Sequence, residues 1–131
     1  METVTLNSEL ESPVETVWAV FADVTRCDWV PGVDAISEQD GIRNFNMAGI
    51  GEVQEKILLL DNEKHCLQYS AIKTPSGVAH HLATIQLTAL GNDRCQLQWT
   101  TEIEPDQFAV AIEQAMNVSL EGLRNVLASE N

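Results

Sequence analysis

Between Val33 and Ile103 the sequence repeats one pattern: short alternating or apolar stretches, each closed by a turn signal. The stretches are Val33–Gln39, Ile42–Met47, Glu52–Leu60, Cys66–Ile72, Val78–Leu90 and Cys95–Ile103. The breaks are Asp40-Gly41, Gly49–Gly51, Asp61-Asn62, Pro75-Ser76-Gly77 and Gly91-Asn92-Asp93. Alternation sends successive side chains to opposite faces, and breaks this short join antiparallel neighbours. The pattern predicts six strands in a meander. Thr3 to Glu11 adds a seventh, first in the chain, with Val4, Leu6, Ser8 and Leu10 on one face.

Two helical regions frame the meander. Ser12-Pro13-Val14-Glu15 reads as a helix start, with Ser12 as N-cap, Pro13 in the first turn and Glu15 completing a capping box. Val14, Val17, Trp18, Phe21 and Ala22 follow at helical spacing to about Asp23, and a second short helical turn is predicted over Thr25 to Trp29, before Pro31-Gly32. At the other end, Pro105 opens a long helix running to about Ser129, on the order of 36 Å at ~1.5 Å per residue. Glu102, Glu104 and Asp106 sit where its dipole favours acids. Phe108, Ile112, Ala115, Ser119, Gly122, Leu123 and Val126 line one side of it.

The order is thus strand, two short helices, six strands, long helix: an α+β chain read as one domain over residues 1–131. Seven curving antiparallel strands wrap around something, and the last helix is the long element available to fill the concave side. Its small residues, Ala111, Ala115, Ser119 and Gly122, leave two outcomes open, close helix–sheet packing or an internal void.

Charge narrows the partners. Twenty acidic residues against seven basic ones give a formal charge of −13, and residues 1–41 hold nine acids and one base. Nucleic acid and anionic membranes both select basic patches, so neither is an expected partner. No apolar run approaches the ~18 residues of a membrane span, and the start lacks a basic region followed by an apolar stretch. The three cysteines, Cys27, Cys66 and Cys95, form no CxxC pair and suit reduced thiols in a cytoplasmic protein. Monomer and homodimer are both compatible with the sequence.

Several segments resemble the START-like, helix-grip superfamily (SRPBCC), in its bacterial branch called polyketide cyclase/dehydrase and lipid transport. Ser12-Pro13-Val14-Glu15-Thr16-Val17-Trp18 looks like that family's helix opening, and Asp28-Trp29-Val30-Pro31-Gly32-Val33 is similar to its W-x-P-x-V exit. Glu55-Lys56 matches a mid-strand Glu-Arg step, with Lys in place of Arg. Tyr69, Trp99 and Gly122-Leu123 fall at its strand tyrosine, last-strand tryptophan and final-helix G-L. The similarity covers about residues 3–127. It implies a helix-grip fold with a deep apolar cavity between curved sheet and long helix, entered near the short helices and hairpin loops. Members bind lipids, polyketides, hormones or other hydrophobic molecules, and a minority cyclise or dehydrate them.

Strand parity names the side chains that face such a cavity. The fourth strand offers Val53, Glu55, Ile57 and Leu59, and the fifth Leu67, Tyr69 and Ala71. The sixth offers His81, Ala83, Ile85 and Leu87, and the seventh Leu97, Trp99, Thr101 and Ile103. Glu55, Tyr69, His81 and Thr101 are then polar groups among apolar ones, the layout of a hydrophobic site with a few orienting contacts. With Trp29 at the mouth and Phe108, Ile112, Ala115 and Ser119 on the helix, these form the candidate ligand site, Ile57, Ile85 and Trp99 completing its wall. Each has a duller alternative: Glu55 on the outer face beside Lys56, and His81, Tyr69 and Trp99 as core residues.

His80 and His81 point to opposite faces and cannot chelate one metal together, so no metal or cofactor is expected. No nucleophile elbow or phosphate-binding glycine loop is present. The leading expectation is a binder of a small hydrophobic or amphipathic molecule. The alternative is a cyclase/dehydratase-type enzyme with Glu55 or His81 moving protons and Tyr69 stabilising an oxyanion. A third reading, an interaction subunit with a filled core, requires the last helix to pack directly on the sheet.

Overall fold

A computed structural model describes residues 1–130. β1 (Glu2–Leu10) and α1 (Val14–Ala22) precede the meander β2 (Ile36–Gln39), β3 (Ile42–Met47), β4 (Gly51–Asp61), β5 (Cys66–Lys73), β6 (His80–Ala89) and β7 (Cys95–Glu104). A 3-10 turn (Asp106–Phe108) leads into α2 (Ala109–Glu130). The seven strands form one sheet in the order β1-β7-β6-β5-β4-β3-β2, with every pairing antiparallel. Each hairpin-length break joins neighbours, and β1 reaches the far edge beside β7.

Alternation sets the inner face. Cys95, Leu97, Trp99, Thr101 and Ile103 of β7 are all buried, and Ala83, Ile85 and Leu87 of β6 join them. Two register irregularities interrupt the β4–β5 ladder. At the second, Leu58 is the extra residue, so Leu59 pairs with Gln68 rather than continuing the Glu55, Ile57 face. Leu59 is exposed, correcting its expected inward placement. A bulge reverses parity for every residue beyond it.

The start of α1 differs from the expected cap. Pro13 is the N-cap, its carbonyl accepting from the Thr16 and Val17 N–H groups at 3.0 and 3.2 Å, and Ser12 makes no side-chain cap. The Glu15 carboxylate accounts for the failed capping box: it turns across to His65 Nε2 at 2.7 Å. The second short helix is absent. Residues 23–33 instead make separate turns, with Arg26, Val30 and Val33 N–H groups bonding the carbonyls of Asp23, Cys27 and Val30. Asp23 Oδ1 also accepts from the Thr25 hydroxyl at 3.1 Å, a local bond that competes with helix continuation.

Along α2 the buried stripe is Met116, Leu120, Leu123 and Leu127, at spacings of four, three and four. Of these the expected stripe contained Leu123 alone, because the helix presents two adjacent faces and the smaller residues lie on the other. The leucines seat its second half in a solid core with Val17, Val20 and Phe21 of α1. Gly122 marks a close approach. A Cβ built there lies 2.1 Å from the Trp29 carbonyl oxygen and 3.3 Å from the Pro31 ring, so the 29–31 segment touches the helix backbone itself.

Gly122→Ala is therefore expected to destabilise the protein by about 1–3 kcal/mol through overpacking, despite the better helix propensity of alanine. Urea denaturation checks this; unchanged or raised stability would contradict the contact.

Candidate functional site

The other half of the interior is hollow. A cavity of about 590 Å³ lies between the inner face of the sheet, the 29–33 segment and the first half of α2. Ala111, Ala115 and Ser119 face it where larger residues would fill it, and Met116 and Ile112 form the rest of the helical wall. Gly49 and Ile50 of the β3–β4 loop, Pro75 and Ser76 of the β5–β6 loop and the exposed Ala111 and Ala115 rim its mouth. The volume falls within the range of small-molecule sites.

One polar row crosses this apolar wall. The β3–β4 hairpin turns around Gly49, so Met47 pairs with Gly51, Phe45 with Val53 and Arg43 with Glu55. Arg43 Nε donates to Glu55 Oε1 at 2.8 Å, with the two side chains only 11% and 13% exposed. Arg43 Nη1 also donates to the Val24 carbonyl at 3.2 Å, and the guanidinium carbon stands 4.6 Å from the centre of the Tyr69 ring. Burial raises the Glu55 carboxyl above its ordinary range, with Arg43 pulling it back. Burial, then the Glu55 charge, holds the Tyr69 phenol well above the usual phenol range. Trp99 indole N–H lies near that phenol without closing a hydrogen bond of normal geometry.

His81 ends the row, its ring centre 6.0 Å from that of Tyr69. The β5–β6 ladder runs only from Cys66↔Gln86 to Tyr69↔Ala83. Beyond it, where Ala71 would next face His81, the imidazole takes the place of a backbone acceptor: the Ala71 N–H donates to His81 Nδ1 at 2.9 Å. The Ser70 hydroxyl donates to the His81 carbonyl. Nδ1 is thus an acceptor, and the neutral ring carries its proton on Nε2. Burial, with His80 next, lowers its pKa to about 4, so the ring is neutral at physiological pH.

Glu55, Tyr69, His81, Trp29, Trp99, Thr101, Phe108, Ile112, Ala115 and Ser119 all line the cavity. Thr101 is buried and donates to Met116 Sδ at 3.4 Å. Ile57 and Ile85 lie apart. Ile85 is sealed in the solid core and Ile57 packs against that core, so neither is part of the cavity wall. Sequence reasoning missed Arg43 and Met116. Arg43 was recoverable: a hairpin centred on Gly49 places it opposite Glu55, and it shares a face with Phe45 and Met47. His80 pairs outside the cavity with Glu102 at 3.0 Å. Among the described residues no group of three His, Cys, Asp or Glu side chains is placed to hold a metal, and no helix is long and apolar enough to cross a membrane.

A curved seven-stranded antiparallel sheet gripping a long C-terminal helix defines the START-like helix-grip (SRPBCC) class. The sequence profile described as "Polyketide cyclase / dehydrase and lipid transport" matches residues 1–128, and the chain belongs to that family. No curated protein matches it in sequence. Among solved structures, XoxI from Bacillus cereus is similar at a TM-score of 0.89 and 18% identity, covering 100% of this chain and 99% of that one. The Zhui aromatase/cyclase from Streptomyces sp. R1128 is similar at 0.77 and 20%, covering 98% and 92%. Norcoclaurine synthase from Thalictrum flavum, in complex with dopamine and hydroxybenzaldehyde, is similar at 0.76 and 18%, covering 99% and 88%. At these identities the likeness is one of fold.

Removing one partner of the buried pair strands the other. Arg43→Met is expected to cost about 3–5 kcal/mol, and adding Glu55→Gln to restore more than half of it. Equal losses in denaturant for the single and double variants would contradict the pairing. A second test is titrimetric. Folded His81 stays neutral down to about pH 4, whereas the unfolded ring takes its proton near the ordinary 6.5. The unfolded state then binds more protons between these values, so stability present above the upper one is lost as pH falls toward the lower. Across that window wild type should lose on the order of 3 kcal/mol more than His81→Phe. Parallel pH profiles would contradict it.

Proposed function

We propose that the protein binds a small hydrophobic or amphipathic molecule in the cavity between sheet and helix, as carrier or sensor. The observation that carries this reading is an apolar hollow of about 590 Å³ holding a self-neutralised ion pair. Burying about 250 Å² of apolar ligand surface there supplies roughly 6 kcal/mol before ordering costs. The family's description, polyketide cyclase / dehydrase and lipid transport, supports the same class of ligand.

A cyclase/dehydratase-type reaction is the second reading, favoured by one observation: a carboxyl raised by burial, Glu55, stands in one row with Tyr69 and His81. Within that reading Glu55 is the proton-transfer group. His81 is unsuited to act as a base, because Nε2 already carries a proton and the Nδ1 lone pair is occupied by the Ala71 N–H.

Native mass spectrometry and calorimetry with a lipid and aromatic polyketide panel test the binding. Ala115→Trp, at the cavity mouth, is expected to weaken any ligand at least tenfold with little change in thermal stability. Undiminished affinity in that variant would contradict the location. A binder that wild type converts to product, and Glu55→Gln only binds, would favour the second reading.

A further inference from the structure

The hydrogen-bonding balance of the cavity says what kind of molecule fits it. Arg43 and Glu55 neutralise each other at 2.8 Å. Arg26, at the edge of the cavity, is held by Asp28 at 2.7 Å and Glu130 at 2.6 Å. No charge in the wall is left to pair with a ligand, so an anion or a cation entering it would lose its water without gaining a counter-ion.

Donors without partners stand among the groups that line the cavity. His81 Nδ1 is occupied, which fixes the proton on Nε2, and Nε2 makes no hydrogen bond to the described residues. Indole N–H groups of Trp29 and Trp99, only 8% and 5% exposed and 6.2 Å apart at their ring centres, are also unpartnered. A buried indole donor without an acceptor costs about 1–3 kcal/mol, and a cavity-facing imidazole N–H desolvated by a ligand meets the same cost, so an acceptor supplied by that ligand gains more than a bare hydrocarbon would.

We infer that the cavity selects an uncharged ligand whose polar end is a hydrogen-bond acceptor, such as a ketone or quinone oxygen, and that the His81 Nε2–H is the donor that recognises it. Acids and amines of the same shape are disfavoured. This rests on the ligand-binding reading above and adds the chemical class and the specificity-determining residue.

Four probes of matched size test it by calorimetry on the full chain: 2-acetylnaphthalene, 2-ethylnaphthalene, 2-naphthoic acid and 2-naphthylmethylamine. Wild type is expected to bind the ketone at least tenfold tighter than each of the other three, and His81→Phe to hold ketone and hydrocarbon within about twofold of one another. Because that variant leaves the Ala71 N–H unpaired and could fold poorly, 15N NMR of wild-type His81 provides a second readout. Nε2 should carry the proton, with Nδ1 unprotonated, and the Nε2 signal should move when the ketone is added. Equal affinity for all four probes, preference for the acid or amine, or a proton on Nδ1 would overturn this inference alone. Failure of all four to bind would overturn the ligand-binding reading and this inference with it.

Discussion

How closely α2 approaches the sheet governs everything inside this protein. Its second half is seated by Leu120, Leu123 and Leu127 and pinned at Gly122, whose missing side chain admits the Trp29 carbonyl. The first half carries alanines and a serine toward the interior, so the same rigid rod that closes one half of the core leaves a hollow over the other. A helix curves only gently unless its hydrogen-bond ladder is interrupted, so it does not kink to fill such a gap. Side-chain size along two adjacent faces of one helix therefore decides where the protein is solid and where it is empty.

An empty apolar space also changes the electrostatics of what lines it. Arg43 and Glu55 persist as a buried pair because each satisfies the other, with Val24 and the Tyr69 ring taking up further capacity of the guanidinium. His81 works differently. Its imidazole replaces a rung of the sheet where β5 and β6 part, and that structural duty fixes its tautomer. A backbone detail thereby determines the chemistry the ring offers to the cavity: donation from Nε2, with no free lone pair for proton abstraction.

Much of this was readable before any coordinates. Turn signals located the strands of the meander to within three residues, since period-two alternation and glycine- or asparagine-containing turns are local properties. Inner-face parity found Glu55, Tyr69, His81 and Thr101 because β4 alternates without an extra residue up to Leu58, the irregularity at Gln54 and Glu55 placing its extra residue on β5, beyond Ala71. What failed depended on partners distant in sequence. Glu15 left the capping box for His65, fifty residues away. Asp23 bonded Thr25 and the second short helix gave way to turns. Ile85 faces inward as expected, yet lies in the half of the core that is filled. The choice between close helix–sheet packing and a void resolved in two ways, because Gly122 packs closely on the 29–31 segment rather than on the sheet, whereas Ala111, Ala115 and Ser119 line the hollow.

The likeness to an aromatase/cyclase and to norcoclaurine synthase is a likeness of fold, so the hollow itself is what this chain must be shown to use. Its three methionines offer a direct test, since Met47 and Met116 line the cavity and Met1 stands exposed at the chain start. Titrating 2-ethylnaphthalene into protein labelled with 13C at the methionine methyl groups should shift the Met47 and Met116 resonances saturably and leave Met1 in place. Shifts confined to Met1, or no shift at either cavity methionine at the solubility limit of the probe, would contradict an accessible interior hollow.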